Sequence, residues 1–200
     1  MACETCDFSS PALVKLLVLG EERVGVSSFV GAVSDFPPVR TREIADLLPA
    51  GHGDALVAGV GSSVQEVWTD FGSCTLASDG LRLGLCGAPG MGRVPALWPD
   101  LVRDALGAVV LAHSGRIGEV YPTVSALEQA HLPFVLAVNV FDEFAPEAAL
   151  VREFLELPPP VPIVLCDARH RVSVKNVLAD LVRTLLDRTP PSGPCTPASA

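Results

Sequence analysis

Basic residues are scarce in this 200-residue chain, and the shortage excludes two classes of partner. Lys and Arg together number 14 against 23 Asp and Glu, which gives a formal net charge of −9 at pH 7. An excess of carboxylates repels the phosphate backbone of nucleic acids and the anionic headgroups of membranes. We therefore expect no nucleic-acid partner and no electrostatic attachment to a lipid surface.

Long apolar runs are also missing. The runs ALGAVVLA at 105–112 and FVLAV at 134–138 fall far short of the ~20 residues that span a bilayer. The first ten residues, MACETCDFSS, lack the basic and apolar regions of a signal peptide. These absences predict a cytoplasmic protein without membrane insertion.

The spacing of the six cysteines suggests neither a metal site nor a disulfide framework. Cys3 and Cys6 make a C-x-x-C, but no second Cys or His pair lies nearby to complete a tetrahedral zinc site. Cys74, Cys86 and Cys166 fall within apolar, strand-like runs, so we expect them to be small core residues.

Strand-like and helix-like runs alternate along the chain, which is typical of an α/β sheet with helices on both faces. The pattern predicts one domain over 12–188, between disordered tails at 1–11 and 189–200. We count six strands and about five helices, in three layers. The sheet should be mostly parallel, with one antiparallel hairpin made by 66–77 and 81–86 around the turn Ser78-Asp79-Gly80.

Residues 35–63 do not fit this alternation. The segment is rich in Pro and Gly and has no long period. We expect a long connection without regular structure, in which TREIADLL makes a helical turn or two. Long connections in compact domains are often functional.

The stretch GEERVGVSS at 20–28 follows the strand-like LVKLLVL and precedes the helix-like FVGAVSDF. It fits the phosphate-binding pattern G-x-x-x-x-G-K-[ST] at every position except one, because Val26 stands where the pattern has lysine. Ser27 occupies the position whose hydroxyl holds a metal ion in such loops. The sequence therefore indicates a phosphate loop without its cation.

Four segments at the ends of predicted strands resemble, in this order, the phosphate loop, switch II, base-specificity motif and supporting loop of Ras-like small GTPases. They are GEERVGVSS, LCGAPGMGR, NVFD and CDAR. With the Asp70-Phe71-Gly72 stretch, the chain over about 12–187 resembles the small GTPases of actinobacterial conservon operons, which are relatives of the polarity GTPase MglA. A Ras-like G domain is the fold that this resemblance implies.

The resemblance also implies a site. Asp142 would accept hydrogen bonds from guanine, Asn139 would support the loop, and Ser27 and Asp70 would hold Mg²⁺ if a nucleotide binds. The implied nucleotide-binding positions are Gly20, Arg23, Gly25, Val26, Ser27, Ser28, Gly90, Asn139, Asp142, Ala168 and Arg169. The ordinary alternative is that Asn139 and Asp142 cap a turn, and that Asp167 and Arg169 only pair with neighbours.

Several positions depart from the pattern of the resembled family. Met91 replaces the glutamine that orients the attacking water, so no catalytic residue is expected. Glu66 stands in place of a metal-binding hydroxyl, for which Thr41 and Ser63 are candidates only if their segment folds back. Two carboxylates, at 21 and 22, would face the phosphates and repel them. The site is therefore predicted to be degenerate.

The resemblance implies a regulatory pseudoGTPase that works beside a roadblock/longin-type protein and a sensor-kinase-like membrane protein of the same operon. These partners would bind the switch region, 35–72 and 88–98, and would recruit the protein to the membrane. No cofactor would be required, and GDP or GTP with Mg²⁺ would bind at low affinity at most. The alternative is a slow or partner-activated GTPase in which Arg23 replaces the lysine.

Overall fold

A seven-stranded sheet runs through the protein in a computed structural model that describes residues 13–47, 63–75, 81–93, 95–141 and 145–188. The strands are β1 Leu13–Gly20, β2 Val39–Leu47, β3 Ser63–Thr75, β4 Arg82–Pro89, β5 Ala105–His113, β6 Phe134–Asn139 and β7 Ile163–Cys166. Their order in the sheet is β2-β3-β4-β1-β5-β6-β7. The predicted tails, the turn at 78–80, the pair Cys3 and Cys6, and Asp142 lie outside the described residues.

The sheet is mostly parallel, as predicted. Only β3 among these seven strands runs against its neighbours, and it pairs antiparallel with both β2 and β4. The predicted hairpin is thus present as β3 and β4. On the other side, β1 pairs parallel with β4 and with β5.

The prediction of six strands was wrong, and so was the irregular reading of 35–63. Residues Val39–Leu47 form β2, which pairs with β3 along its whole length. TREIADLL therefore contributes seven residues, 41–47, to a strand instead of a helical turn. The segment lacks a clean apolar alternation, and pairing with a strand distant in sequence decides its conformation. Residues 48–62 lie outside the described part.

Five α-helices accompany the described strands, the number expected. They are α1 Val26–Val33, α2 Trp98–Val102, α3 Tyr121–Gln129, α4 Ala148–Phe154 and α5 Arg171–Arg188. Helix α2 is only five residues long because the chain turns at Asp104, with a φ of 59°, into β5. No helix in the described ranges has the length and apolarity to cross a membrane.

Two hydrophobic cores flank the sheet and make the three predicted layers. Alternate residues of β1 serve them: Leu16 and Val18 pack in one core, Leu17 and Leu19 in the other. Helices α1 and α5 cover the first core, and α3 and α4 cover the second. Burial on both faces explains why this strand reads as a continuous apolar run.

The predicted core cysteines are buried: Cys74, Cys86 and Cys166 all belong to the two cores. Burial raises the pKa of the Cys166 thiol to about 12. A thiol with such a pKa stays protonated at neutral pH, so this side chain is unreactive.

The central strand β1 lies between β4 and β5, which is where the sheet order reverses. In open α/β sheets a crevice forms at this point, outside the carboxyl ends of the strands. The chain leaves β1 there and enters GEERVGVSS. The topology therefore places the predicted phosphate loop at the mouth of the crevice.

Candidate functional site

The loop between β1 and α1 has the backbone that the phosphate pattern requires. Gly25 precedes α1 with a φ of 104°, in the left-handed region. A Cβ at this position would lie 2.8 Å from Nδ2 of Asn139, so both conformation and space demand glycine. The N–H of Phe29 donates to the carbonyl of Gly25 at 2.8 Å and begins the helix.

A cavity of about 520 Å³ opens beside this loop, at the carboxyl ends of the strands. Of the residues predicted for the site, those that line it are Gly20, Arg23, Gly25, Val26, Ser27, Ser28, Asp70, Asn139, Ala168 and Arg169. Gly90 is not in the lining, but its N–H donates to the carbonyl of Gly20 at 3.0 Å. The volume suits a ligand of nucleotide size.

Asn139 joins two walls of the cavity. Its side chain is 3% exposed. The amide Nδ2 donates to the carbonyl of Val24 at 2.8 Å, and Oδ1 accepts the N–H of Ala168 at 3.0 Å. Asn139 thus supports the loop, as expected for its position. The N–H of Ala168, expected to face guanine, is donated to this side chain instead.

Arg169 pairs with Asp167, which is the ordinary alternative considered from the sequence. Its Nη2 and Nε lie 2.7 and 2.9 Å from the two carboxylate oxygens. These hydrogen bonds, together with one from the N–H of Arg169, hold the pKa of Asp167 well below its usual range. The guanidinium is therefore already engaged at the edge of the cavity.

An aromatic wall on this side was missed from the sequence. Phe141 lines the cavity and stacks on His113, with ring centroids 4.6 Å apart and an interplanar angle of 21°. The only sequence signal was an aromatic residue inside the NVFD motif. The exposed part of this ring offers an apolar surface to a planar ligand.

Val26, in the lysine position, behaves as a core residue. It is partly buried and packs against the core cluster under α1. Its methyl groups lie close to β1 and β4, so that a Cβ added at Gly87 would be 2.9 Å from Val26 Cγ1. An apolar side chain fills the base of the loop where the pattern has an ammonium group.

Ser27 and Asp70, the predicted metal ligands, do come together. The Ser27 hydroxyl donates to Asp70 Oδ2 at 2.5 Å. The other carboxylate oxygen lies 3.6 Å from Nε of Arg40, whose guanidinium stands 4.8 Å from the centroid of the Trp68 ring. Asp70 is buried, so this arrangement fixes a cation beside the phosphate loop.

Arg40 was missed because its segment was expected to be irregular. The register that places Arg40 opposite Asp70 belongs to the β2–β3 ladder. One signal was available: Arg40 and Arg42 are two residues apart, as are Glu66 and Trp68, which is the period of a strand. The ion pair between Arg42 Nη1 and Glu66 Oε1, at 3.0 Å, follows from the same register.

The side chains present do not fit Mg²⁺ well. A divalent cation between Ser27 and Asp70 would stand against the Arg40 guanidinium, whose Nε lies 3.6 Å from Asp70 Oδ1. Thr41 does not supply the missing hydroxyl, since it follows Arg40 onto the opposite face of β2 and its Oγ1 lies 3.5 Å from the carbonyl of Thr69. The Ser63 side chain lies outside the described part.

At position 91, the switch II segment has no side chain that could orient a water molecule. Met91 packs its side chain against the core beneath α3, while its N–H donates to Thr123 Oγ1 at 2.8 Å. Beside it, Glu21 Oε1 is buried with no hydrogen-bond partner among the described residues. Burial raises the pKa of Glu21 above its ordinary value.

The charges around the cavity cancel. Four arginines and four carboxylates line it: Arg23, Arg40, Arg93, Arg169, Glu21, Glu22, Glu66 and Asp70. Arg93 Nη1 lies 3.1 Å from Glu22 Oε2, so this carboxylate is paired rather than free to repel a phosphate. The expected repulsion by residues 21 and 22 is therefore weaker than the sequence suggested.

Comparison with known proteins identifies the fold. No family model matches the chain, and no curated protein matches it. Among solved structures, the chain is similar to the G domain of the T. maritima FeoB iron transporter, with a TM-score of 0.54 and 17% identity, over 86% of this chain and 99% of that one. The predicted G-domain fold of P-loop GTPases is thereby confirmed. The finer resemblance to conservon GTPases stays a prediction.

Proposed function

We propose that the protein is a pseudoGTPase: a regulatory interaction module that binds GDP or GTP weakly or not at all and does not hydrolyse GTP efficiently. The observation that carries this proposal is Val26, which packs as a core residue in the lysine position of the loop. Loss of a charge-assisted hydrogen bond of about 1.5–3 kcal/mol weakens binding roughly ten- to a hundredfold.

The groups that would catalyse hydrolysis are replaced as well. Met91 has no donor or acceptor with which to orient a water, and Asp70 faces the guanidinium of Arg40. Glu66, at the place of a metal-binding hydroxyl, is paired with Arg42. Because positioning and charge stabilisation supply nearly all of phosphoryl-transfer catalysis, these replacements support a non-hydrolysing protein.

The partner surface that we propose is the switch region. Exposed aromatic and aliphatic side chains are present in this region: Phe36, Val39, Trp68 and Phe71. Strand β2 is the edge of the described sheet. Apolar side chains in this number at a sheet edge suit a protein partner. We propose the roadblock/longin-type protein as that partner, with the sensor-kinase-like protein bringing the complex to the membrane.

The test measures turnover and association on the same preparation. We expect phosphate release from GTP no faster than in an enzyme-free blank. We also expect co-elution with the roadblock-type protein in size exclusion, which Phe71→Ser abolishes. Val172→Ser is the control, because Val172 is also an exposed apolar residue but lies on α5, outside the proposed partner surface. Failure of the wild-type protein to associate would remove the main support for the proposal.

A slow GTPase is the second candidate, and Arg23 is the observation that favours it. Arg23 lines the cavity, is exposed, and makes no ion pair within the described residues. It is thus free to reach a phosphate. GTP turnover above the blank, abolished by Arg23→Ala or by Asp142→Ala, would establish this alternative and exclude the pseudoGTPase.

A further inference from the structure

Arg40 is held in place from three directions. Its backbone pairs with Asp70 across the β2–β3 ladder, its Nε approaches Asp70 Oδ1 at 3.6 Å, and its guanidinium stacks over Trp68. The same carboxylate accepts the Ser27 hydroxyl at 2.5 Å. These contacts fix a positive charge next to the first turn of α1, where the loop would hold phosphates.

Most N–H donors of the Arg40 guanidinium do not point at Asp70. Arginine carries five N–H donors in a rigid fork that matches phosphate oxygens. The contact with Asp70 involves Nε, and Arg40 is still 55% exposed and lines the cavity. The remaining donors are therefore accessible to an anion that enters beside Ser27.

The other arginines of the cavity are less suited to this role. Arg93 and Arg169 are paired with Glu22 and Asp167. Arg23 makes no ion pair in the described part of the chain, so fixing its side chain on a ligand would cost rotamer entropy. For Arg40, the contacts with Asp70 and Trp68 already supply part of that ordering.

We infer that Arg40 is the resident cation of the cavity and replaces both the loop lysine and the divalent metal. The ligand class is a nucleoside diphosphate, whose pyrophosphate group binds at the fork of Arg40 without Mg²⁺. The inference rests on the proposed function, in which the lysine and metal sites are lost. It adds that the residual affinity resides in β2, outside the phosphate loop itself.

A metal ion and the Arg40 guanidinium would compete for the same position beside the Asp70 carboxylate. Both would be attracted to Asp70, and two cations at one carboxylate repel each other at the low effective dielectric of a partly buried site. The guanidinium is part of the chain, so it is present at any metal concentration. Binding should therefore be equally tight with and without Mg²⁺.

The first experiment is a calorimetric titration of the full chain with GDP, once in EDTA and once in Mg²⁺. We expect dissociation constants that agree within about twofold. Arg40→Gln should weaken binding about ten- to a hundredfold, as expected for loss of a charge-assisted hydrogen bond. Arg103→Gln is the matched control: Arg103 is likewise exposed and pairs with a carboxylate, that of Asp100, and neither residue lines the cavity. It should leave the affinity unchanged.

Asp70→Asn should change GDP affinity in opposite directions, depending on whether Arg40 or an Asp70-bound metal ion holds the phosphates. If Arg40 binds the phosphates, Asp70→Asn removes a negative charge that repels them, while the amide oxygen can still accept from Ser27, so GDP binds more tightly in both buffers. If Asp70 is a metal ligand, the same change weakens binding in Mg²⁺. Thermal unfolding of each variant confirms that it is folded before titration. Tryptophan fluorescence, which Trp68→Phe should make insensitive to GDP, reports where the ligand lies.

Three results would overturn the inference: binding of GDP only with Mg²⁺, equal effects of Arg40→Gln and Arg103→Gln, or no binding by the wild type at millimolar GDP. The last would leave the pseudoGTPase proposal intact. Conversely, GTP turnover would exclude the pseudoGTPase while leaving the effect of Arg40→Gln on GDP affinity to be judged separately. The two proposals therefore fail by different measurements.

Discussion

The two sides of the cavity differ in what their side chains do for the fold. On the side of β6 and β7, Asn139 is buried and ties the loop carbonyl of Val24 to the N–H of Ala168. On the side of β2 and β3, the lysine position is Val26 and the metal position faces Arg40. The first side keeps the residue expected of a G domain, and the second does not.

This difference follows from which positions also stabilise the unliganded protein. Asn139 satisfies two buried backbone groups, and removing it would leave both without partners. In the proposed function, the replaced positions are those whose role is towards phosphate and water, whereas Asn139 remains constrained by folding.

Asn139→Ala tests the constrained side and should have the largest effect. The change breaks the bond to Val24 and leaves the N–H of Ala168 unpaired, which should lower the free energy of unfolding by about 2–4 kcal/mol. Urea unfolding followed by circular dichroism measures it. Asn139→Asp, which would set a buried carboxylate against the carbonyl of Val24, should cost at least as much at neutral pH. A loss below about 0.5 kcal/mol would show that Asn139 is not structural.

Gly25→Ala tests the loop that both sides share. A residue with Cβ at a φ of 104° is strained, and this Cβ would collide with Asn139. We expect a loss of about 1–3 kcal/mol in the same urea experiment. Gly31→Ala is the control, because Gly31 lies within α1 with nothing near its Cβ position. That change should stabilise by about 0.5–1 kcal/mol, the helical difference between the two residues. Equal effects would contradict the prediction.

Val26→Lys tests whether the β2 and β3 side of the cavity lacks only the positive charge that would bind phosphate. Restoring an ammonium group at this position should tighten GDP binding by about tenfold or more, as expected for a charge-assisted contact. Calorimetry measures the gain, and Val26→Met controls for side-chain length without charge. If the lysine variant bound GDP no better than the methionine variant, the cavity would not be oriented as a phosphate site.

The sequence predicted most of the fold because its signals are local. LVKLLVL and FVLAV are continuous because their strands are buried on both faces over most of their length. Strand β2 was missed because VRTREIADL has no such run and depends on its ladder with β3. Contacts between distant segments determine its conformation, and no local pattern contains them.

The site was predicted unevenly for the same reason. The motif residues of the loop, together with Asn139 and Ala168, lie where the motif order indicated. Arg40 could not be placed without the β2–β3 register, which brings it opposite Asp70. The pairing of Glu22 with Arg93 likewise joins two segments that only the folded chain brings together. Motif order thus located the cavity, whereas its electrostatic balance required the tertiary structure.

Glu21→Gln should have the smallest effect of these changes. It tests whether the loop after β1 carries a carboxylate that destabilises the fold. Burial raises the pKa of Glu21, with Arg93 lowering it and Glu119 raising it further, above the ordinary value of 4.5. The folded state therefore binds a proton more tightly than the unfolded state does. That contribution to stability is fully present below the unfolded pKa and is lost as the pH rises through the folded pKa. At pH 7 Glu21→Gln should raise Tm by about 1–3 °C, and the gain should vanish towards pH 4. Glu22→Gln, which removes a carboxylate paired with Arg93, should give no such gain; an effect of Glu21→Gln that is independent of pH would place its cause in packing rather than in charge.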